Sequence, residues 1–283
     1  MSCRESGERV LSADLQLAAD VGAMCIDRFL SDAHLLWARH TIGDLRGQAI
    51  AVDAAGNSYV AGGFRFGALF PEMPLTGPAS GEGDFFIAKY DAAGNFVWAR
   101  QGGPDFIPAV PGSRATALGI AVDSAGNSRL TGAFGTPSGA AGGFFLARYD
   151  AGGSRVWVSS AAGDETNTGG VLGTGVALDA VGHSCVVGDL LGTVTFGLGE
   201  ATQTTLVGHS IFVRDFFVAK YGANGAFLWA RSTGGHGSDQ GMAIAADAAG
   251  NVHVTGMFDG AVTFGPGETS EASFTADFGD MFP

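Results

Sequence analysis

Acidic residues and one histidine occupy the segments between the strand-like runs of this chain, and their side chains are the best placed to do chemistry. They are Asp44, Asp105, Asp164, Glu165, His236 and Asp239. If these segments converge, the carboxylates could hold a cation or bind a basic or hydroxyl-rich ligand. A pair of carboxylates could also hydrolyse a glycoside, for which the spacing is spatial and not sequential. The alternative is that these residues are solvated loop acids of an acidic protein.

No motif of a catalytic or nucleotide-binding site accompanies these residues. Neither Lys89 nor Lys220 follows a glycine, so a phosphate-binding loop is absent from the sequence. The chain also has no G-x-S-x-G or H-E-x-x-H string. The glycine-rich run 169–175 leads into a strand-like segment and not into a helix. We therefore expect no cofactor and favour a non-catalytic binding role, with a hydrolase or lyase that uses the acids as the alternative.

Composition excludes several classes of protein. The 283 residues carry a net charge of −13 and only 15 Lys plus Arg, too little positive charge for a nucleic-acid binder or for an anionic membrane surface. No apolar run reaches the ~18 residues of a membrane-spanning helix, so we expect no membrane insertion. The three cysteines have no short spacing, which argues against a disulfide framework and a zinc site. We therefore expect no metal.

Two strings recur along the chain. The first, Asp-Ala-Ala-Gly-Asn at 53–57, returns at 247–251, with variants at 123–127 and 179–183. The second is FFIAKYDAAGNFVWAR at 85–100, with related copies at 144–159 and 216–231 and a more divergent copy at 24–39. All four tryptophans occupy one position of the second string: Trp37, Trp98, Trp157 and Trp229. The sequence therefore predicts a repeat protein.

Each repeat predicts four short strands, here called A to D. In the first full repeat they are 49–53, 57–64, 85–90 and 96–100, all rich in β-branched and aromatic residues. Asp-x-x-Gly-Asn joins A to B and C to D, and it is typical of a tight turn because Asp bonds the turn backbone while Gly and Asn tolerate positive φ. Calcium binding by these aspartates is the alternative, but the alternating ligand ladder is missing.

Both faces of the predicted strands are apolar. In the run 85–90, apolar side chains occupy both odd and even positions. A sheet with one solvent-exposed face would instead alternate apolar and polar residues. Each small sheet must therefore be covered on both sides, which a ring of similar sheets achieves. We predict an all-β protein, a β-propeller of four-stranded antiparallel blades.

The motifs resemble those of bacterial SBBP (seven-bladed β-propeller-type) repeat proteins. That family carries D-x-x-G-N-x-Y-V-T-G, then D-x-F-V-A-K-x-D-x-x-G-N, and G-T-V-x-F-G between strands B and C. Matching strings here are GTVTFG at 192–197, GAVTFG at 260–265 and a worn GALFPE at 67–72. The resemblance implies a β-propeller that is extracellular or associated with the cell envelope. Residues 1–29 show no secretory signal as written.

Strand counting leaves two architectures open. Residues 1–22 form a leader outside the repeats, helical or disordered, and 23–283 form the repeat domain. The order is a C–D pair, three full sets, then A, B and the start of C. Either the N-terminal C–D hairpin completes the last A–B pair and closes a four-blade ring, or the chain is a slice of a larger propeller. An open slice would expose strand edges that favour oligomers.

The antiparallel order also predicts a binding face. The A–B and C–D turns lie at one edge of every sheet and are alike, whereas the B–C and D–A loops lie at the other edge and differ. Function tends to sit on variable loops held by a rigid frame, so we expect a protein or carbohydrate ligand there. One strand-B position holds Tyr59, Arg129, Cys185 and His253. Such variety predicts an accessible surface at that position.

Overall fold

The computed structural model describes residues 23–29, 35–71, 73–76, 83–102, 106–107, 114–135, 142–163 and 169–282. Every regular element in these ranges is a β-strand, as the sequence predicts. None of these residues forms a helix that is long and apolar enough to cross a membrane. The predicted leader, 1–22, lies outside the described residues.

Nineteen strands make up the fold. In chain order they are β1 (Ala23–Phe29), β2 (Leu35–Val52), β3 (Ser58–Phe70), β4 (Met73–Thr76), β5 (Asp84–Tyr90), β6 (Phe96–Gln101), β7 (Arg114–Val122), β8 (Ser128–Gly135), β9 (Gly143–Tyr149), β10 (Arg155–Gly163), β11 (Gly170–Leu178), β12 (Ser184–Leu191), β13 (Thr193–Phe196), β14 (Thr204–Val207), β15 (Asp215–Tyr221), β16 (Phe227–Thr233), β17 (Gln240–Ala246), β18 (Val252–Phe264) and β19 (Ala272–Phe282).

The strands form four antiparallel sheets. Sheet I has the order β1-β2-β3-β5-β6 with β4 on β3, sheet II β14-β13-β10-β9-β8-β7, sheet III β11-β12-β15-β16, and sheet IV β17-β18-β19. Sheets I to III contain the predicted A–B–C–D order, and sheet IV contains A, B and C. Sheet I packs on sheet II through β7, sheet II on sheet III through β11, and sheet III on sheet IV through β17.

Apolar residues at both odd and even strand positions predict that both faces of a sheet are buried. Sheets I and II confirm this prediction. Phe85 and Phe86 point to opposite faces of β5, and both have no exposed surface. Phe85 stacks on Phe145 of sheet II at 5.4 Å between ring centroids, and Phe144 lies edge-on to Phe217 of sheet III at 5.9 Å. The apolar side chains thus join neighbouring sheets.

The Asp-x-x-Gly-Asn segments form tight turns, which confirms the turn interpretation of their aspartates. Asp53 Oδ1 accepts the N–H groups of Ala55 and Asn57 at 3.0 and 2.9 Å, and Oδ2 accepts the Asn57 side-chain amide at 2.8 Å. Gly56 has a φ of +81°, in the left-handed region that glycine tolerates. Both carboxylate oxygens are therefore used inside the turn. Asp91, Asp123 and Asp247 make the same set of bonds.

The N-terminal hairpin does not complete the last A–B pair. β1 pairs with β2, from Ala23 opposite Ile42 to Phe29 opposite Leu35, so the hairpin belongs to sheet I. β19, and not this hairpin, is the third strand of sheet IV. Of the two architectures that the sequence leaves open, closure of a four-blade ring by this hairpin is therefore not seen among the described residues. In the part of the chain that the structure describes, the sheets form an open series without a closed ring.

A clasp joins successive sheets at the ends of their D strands. Hairpin β13–β14 belongs to the third repeat in sequence, yet β13 pairs with β10 of sheet II, Ala162 with Thr195 and Gly163 with Val194. The first repeat makes the same contact with the D strand of the N-terminal hairpin, where Ile42 pairs with Leu69 and Gly43 with Ala68. We use "clasp" for this pairing of a B–C hairpin with the preceding D strand.

Candidate functional site

The structure brings together two of the six predicted site residues. His236 and Asp239 lie in the D–A loop between β16 and β17, where sheets III and IV meet. Asp44 lies elsewhere, at the junction of sheets I and II. Asp105, Asp164 and Glu165 lie outside the described residues. Of the acids predicted to converge, the structure therefore places Asp44 and Asp239, and these two lie at different junctions between sheets.

Asp44 is not a loop residue, contrary to the prediction. The first D–A connection is continuous strand, because β2 runs through it with irregular register near Gly43 and Gly47. Asp44 is half-buried opposite Arg65 and lines a cavity of about 190 Å³ together with Arg46 and Thr116. Its surroundings are therefore rich in arginine and do not resemble an acidic cation site.

Asp239 is the most deeply buried acid of the predicted set, with no exposed surface. Its Oδ2 accepts the Gly235 N–H at 2.8 Å, and its Oδ1 accepts the Asp259 N–H at 3.3 Å. Its own N–H donates to the Arg214 carbonyl at 2.7 Å. Burial, with smaller contributions from the charges of Asp215 and Asp259, raises the pKa of Asp239 to about 6. A carboxyl of this kind holds its proton in mildly acidic solution.

Asp215 lies beside Asp239. Its side chain is almost fully buried, and Oδ2 accepts the N–H of His209. Oδ1 is buried and has no hydrogen-bond partner in the part of the chain that the structure describes. It faces Gly234, where an added Cβ would lie 1.8 Å from it. Burial raises the pKa of Asp215, and the backbone and ring of His209 oppose that rise.

Asp189 ties the same region to an arginine. Its Oδ1 accepts the Gly241 N–H at 3.0 Å, across the junction of sheets III and IV. Its Oδ2 accepts Nη1 of Arg214 at 3.1 Å. Burial still raises the pKa of Asp189, although Gly241 and Arg214 oppose the rise. We call Asp189, Asp215, Asp239 and Asp259 the carboxylate cluster.

Exposed aromatic rings lie on the two loops that lead to Asp215 and Asp239. His209 and His236 are both exposed, and their ring centroids are 4.2 Å apart with 50° between the ring planes. Phe212, on the same B–C loop as His209, has 87% of its surface exposed. We call His209 and His236 the histidine pair. A ligand that stacks on these rings would thus lie at the surface of the junction that contains the buried acids.

Sequence reasoning missed His209, Asp189, Asp215, Asp259 and Arg214, although signals for two of them were present. Asp215 opens the third copy of the strand-C string, at the position that Asp84 holds in the first. Asp189 lies at a strand-B position that holds Gly63, Ala133 and Met257 in the other repeats. An acid in an apolar position of a repeat was the available signal.

The strand-B position that varies most between repeats is buried, contrary to the prediction. Tyr59, Arg129 and Cys185 have 0, 1 and 0% of their surface exposed. Arg129 lies over the Trp157 ring at 5.5 Å and donates from Nε to the Ser184 hydroxyl at 3.2 Å. Tyr59 also reaches the next sheet, where its hydroxyl donates to the Gly126 carbonyl at 3.1 Å. His253 of sheet IV is the exposed exception.

A second recess lies on the opposite face, where the A–B turns of sheets II to IV converge. It has a volume of about 530 Å³ and is lined by Asp123, Asp179 and Asp247 among other turn residues. Asp179 accepts Nζ of Lys220 at 3.0 Å and lies 3.0 Å from Nδ1 of His183. Burial by itself would raise the pKa of Asp179. Lys220 and His183 outweigh this effect, so the pKa lies below that of an ordinary aspartate. These carboxylates are committed to their turns.

A third cavity, of about 590 Å³, lies where the clasp hairpin β13–β14 meets β10. Ser160, Thr193 and Thr195 supply hydroxyl groups to its wall. Its acid, Glu200, accepts the Phe227 N–H at 2.9 Å. Among the described residues, no group of three or more His, Cys, Asp or Glu side chains is arranged to hold a metal ion. The junction of sheets III and IV is therefore the place where unsatisfied polarity and exposed rings coincide.

No protein-family model and no curated protein matches the chain. Among solved structures, a protein of unknown function from Bacteroides caccae is similar, with a TM-score of 0.40 and 9% sequence identity over 89% of this chain. The chain spans 65% of the length of that protein.

Proposed function

We propose that this protein is a non-catalytic scaffold of the β-propeller type that binds a carbohydrate through its variable loop face. The observation that carries the proposal is the coincidence of the exposed histidine pair and Phe212 with the buried carboxylate cluster at one junction. Flat rings offer stacking surfaces to sugar rings, and carboxylate oxygens accept hydroxyl donors. Oδ1 of Asp215 has no hydrogen-bond partner among the described residues and could accept a ligand hydroxyl if the loop at 209–215 opens, since the atom is buried.

The resemblance to SBBP repeat proteins supports the same proposal. Strands that stack through apolar faces, together with the D-x-x-G-N turns, support a propeller-type arrangement of the sheets. The resemblance also favours a place outside the cell or in its envelope. A carbohydrate-binding scaffold is a suitable role for a protein in that location.

An oligosaccharide panel tests the proposal. Immobilised neutral, amino and acidic oligosaccharides are exposed to the protein, and any match is titrated by calorimetry. We expect His236→Ala and Phe212→Ala to weaken the interaction at least severalfold, because each removes a ring at the exposed surface. The matched control is His253→Ala, an exposed histidine on strand B of sheet IV, which should leave the affinity unchanged.

Two outcomes would contradict this assignment. One is the absence of binding to any panel member at millimolar concentration. The other is an affinity that His236→Ala, Phe212→Ala and His253→Ala change to the same extent. Binding to a protein and to no sugar would replace the carbohydrate by a protein ligand.

A hydrolase or lyase is the second candidate, and the raised pKa of Asp239 favours it. A carboxyl whose pKa is near 6 can deliver a proton to a leaving group at mildly acidic pH. Asp239 is fully buried, so this reaction requires the loops at 209–215 and 234–239 to open. New reducing ends in oligosaccharides incubated with the protein, and their loss in Asp239→Asn, would establish the enzyme.

A further inference from the structure

The cavity of about 590 Å³ beside the clasp hairpin β13–β14 has no part in the function proposed above. Its wall includes residues 158–163 of β10 and the turn that joins β13 to β14. β13 pairs with β10 only at Ala162 and Gly163, so the cavity lies along the part of the β10 edge that precedes this pairing. We call it the clasp cavity. Small-molecule sites in proteins have volumes of about 300–1,000 Å³, so the clasp cavity is large enough for such a ligand.

A buried tyrosine with an unpartnered hydroxyl lines the clasp cavity. Tyr221, at the end of β15 in sheet III, has 1% of its surface exposed and forms part of the cavity wall. Its hydroxyl oxygen has no hydrogen-bond partner among the described residues. Buried polar groups are nearly always hydrogen-bonded to protein or to an ordered molecule. The Tyr221 hydroxyl therefore points to an occupant of the adjoining space, either a ligand or a water molecule.

The equivalent tyrosine of sheet I has a partner within the chain. Tyr90 ends the first copy of the strand-C run, and its hydroxyl oxygen lies 3.5 Å from that of Thr41 on the preceding D strand. The position four residues after the tryptophan holds Thr41 in that D strand and Ala161 in β10. Ala161 lines the clasp cavity together with Tyr221. A methyl group thus replaces the hydroxyl partner at the point where the cavity opens.

Three further hydroxyl groups belong to the wall of the clasp cavity. Ser160 lies on β10, and Thr193 and Thr195 alternate along β13, so their side chains point to one face of the hairpin. All three residues are half-buried. Thr195 Oγ1 lies 3.0 Å from the hydroxyl of Thr205 on the neighbouring strand. Because a hydroxyl both donates and accepts, this wall can match the hydroxyl groups of a ligand.

The other side chains of the clasp cavity are apolar, apart from one acid. Phe134 is buried, Val158 is half-buried and Leu198 is exposed at the turn of the hairpin. Glu200 is the charged residue among the described residues of the wall. Burial, with a smaller contribution from the charge of Glu200, raises the pKa of Tyr221, so its hydroxyl keeps the proton and can donate it in a hydrogen bond. The negative charge of Glu200 disfavours an anionic ligand.

We propose that the clasp cavity binds an uncharged sugar or polyol and that the Tyr221 hydroxyl donates a hydrogen bond to one of its oxygens. The carbon skeleton of the ligand contacts Val158, and its hydroxyl groups bond to Ser160 and Thr193. Because the Tyr221 hydroxyl is covered in this structure, the clasp hairpin shifts from β10 as the ligand enters, and two residue pairs hold it there. This site is separate from the histidine pair and does not depend on ligand binding there.

Titration of the full chain with glucose, galactose and myo-inositol tests the clasp cavity. Ligand-observed NMR and calorimetry should show saturable binding of at least one of these probes. Tyr221→Phe removes only the hydroxyl and should weaken that binding about three- to tenfold, the effect of one lost hydrogen bond. The matched control is Tyr90→Phe, which removes the equivalent hydroxyl beside Thr41 and should leave the affinity unchanged.

Unfolding temperatures separate a ligand contact from a structural role of the tyrosine. Without a probe, Tyr221→Phe should keep or raise the unfolding temperature, because the hydroxyl that it removes has no described partner. Ala161→Thr gives Tyr221 the hydroxyl neighbour that Thr41 provides for Tyr90, so it should weaken binding of the probe as Tyr221→Phe does. Both variants should also lose part of the stabilisation that a bound probe gives to the wild-type chain.

Three outcomes would overturn this proposal. The first is no saturable binding of any probe at millimolar concentration, which would leave water as the occupant of the cavity. The second is an equal loss of affinity in Tyr221→Phe and Tyr90→Phe. The third is binding that His236→Ala and Phe212→Ala abolish and Tyr221→Phe does not change, which would place the sugar at the histidine pair and leave the proposed function intact.

Uronic acids test the charge of the ligand. Glucuronate and galacturonate carry a carboxylate that Glu200 repels, so they should bind at least severalfold more weakly than glucose and galactose. Equal or tighter binding of the uronic acids would overturn the assignment of an uncharged ligand.

Discussion

Strand B of sheet III and strand B of sheet IV have similar sequences and different surroundings. In β12, every residue from Ser184 to Leu190 is buried, whereas the matching start of β18 is half-buried to exposed. Cys185 has no exposed surface, but the side chain of His253 at the same position is 70% exposed. In sheet III, strand C lies along strand B, and sheets II and IV cover the two faces of the sheet. Among the described residues, sheet IV has a neighbouring sheet on one face only.

This comparison shows that burial of a strand in this protein is set by its neighbours. The strings at 184–190 and 252–258 are both apolar enough for a core, yet the first is buried throughout, whereas the second is buried only at Gly256 and Phe258. Stability should therefore depend steeply on which sheet a substitution affects.

Truncation of a phenylalanine should cost far more in sheet II than in sheet IV. Phe145 has no exposed surface and stacks on Phe85, so Phe145→Ala should lower the free energy of unfolding by about 3–5 kcal/mol. Phe274 is 52% exposed, and Phe274→Ala should cost less than about 1.5 kcal/mol. Urea unfolding followed by circular dichroism measures both. Equal losses would show that sheet IV is as well packed as sheet II.

Alanine at a turn glycine should destabilise the protein more where a tryptophan covers the turn. Gly153 and Gly250 have φ values of +81 and +85°, so both variants carry left-handed strain of about 1–2 kcal/mol. A Cβ at residue 153 would also lie 2.8 Å from the Trp98 ring, whereas nothing lies within 3.7 Å at residue 250. Gly153→Ala should therefore cost about 1–3 kcal/mol more than Gly250→Ala in the same unfolding assay. A difference near zero would mean that the indole moves aside freely.

The buried acids predict a dependence of stability on pH, with one acid at each end of the series of sheets. Burial raises the pKa of Asp84 in sheet I and that of Asp239 at sheet IV to about 6, against 3.8 for an ordinary aspartate. Between about pH 4 and pH 6 the folded chain holds protons that the unfolded chain has released, so stability should fall as the pH rises through this window.

Asn substitutions test this dependence. Asp84→Asn and Asp239→Asn should each reduce the slope of unfolding free energy against pH in that window, because Asn does not titrate. Urea unfolding at closely spaced pH values measures the slope. If Asp84→Asn flattens it and Asp239→Asn does not, the loops around Asp239 are open to water in solution.

Sequence reasoning reached the strands and turns because their signals are local. The alternation of apolar residues in 85–90 and the turn chemistry of 53–57 depend on residues next to one another in the chain. The N-terminal hairpin and β19 are alternative partners for strand B of sheet IV. Which of them pairs there depends on residues far apart in the chain, so no local sequence pattern could show it. The carboxylate cluster was partly missed for the same reason, since Asp189, Arg214 and Asp259 meet only when two sheets come together.

The clasp has a consequence for the order in which the protein forms. Sheet II acquires its outermost strands, β13 and β14, from residues that follow the first two strands of sheet III in the chain. On the ribosome, the edge of β10 must therefore wait for Val207 to emerge before it is covered, by which time β11 and β12 have already been synthesised. Sheet II is thus completed during translation of sheet III, and a nascent chain exposes the edge of β10 until then.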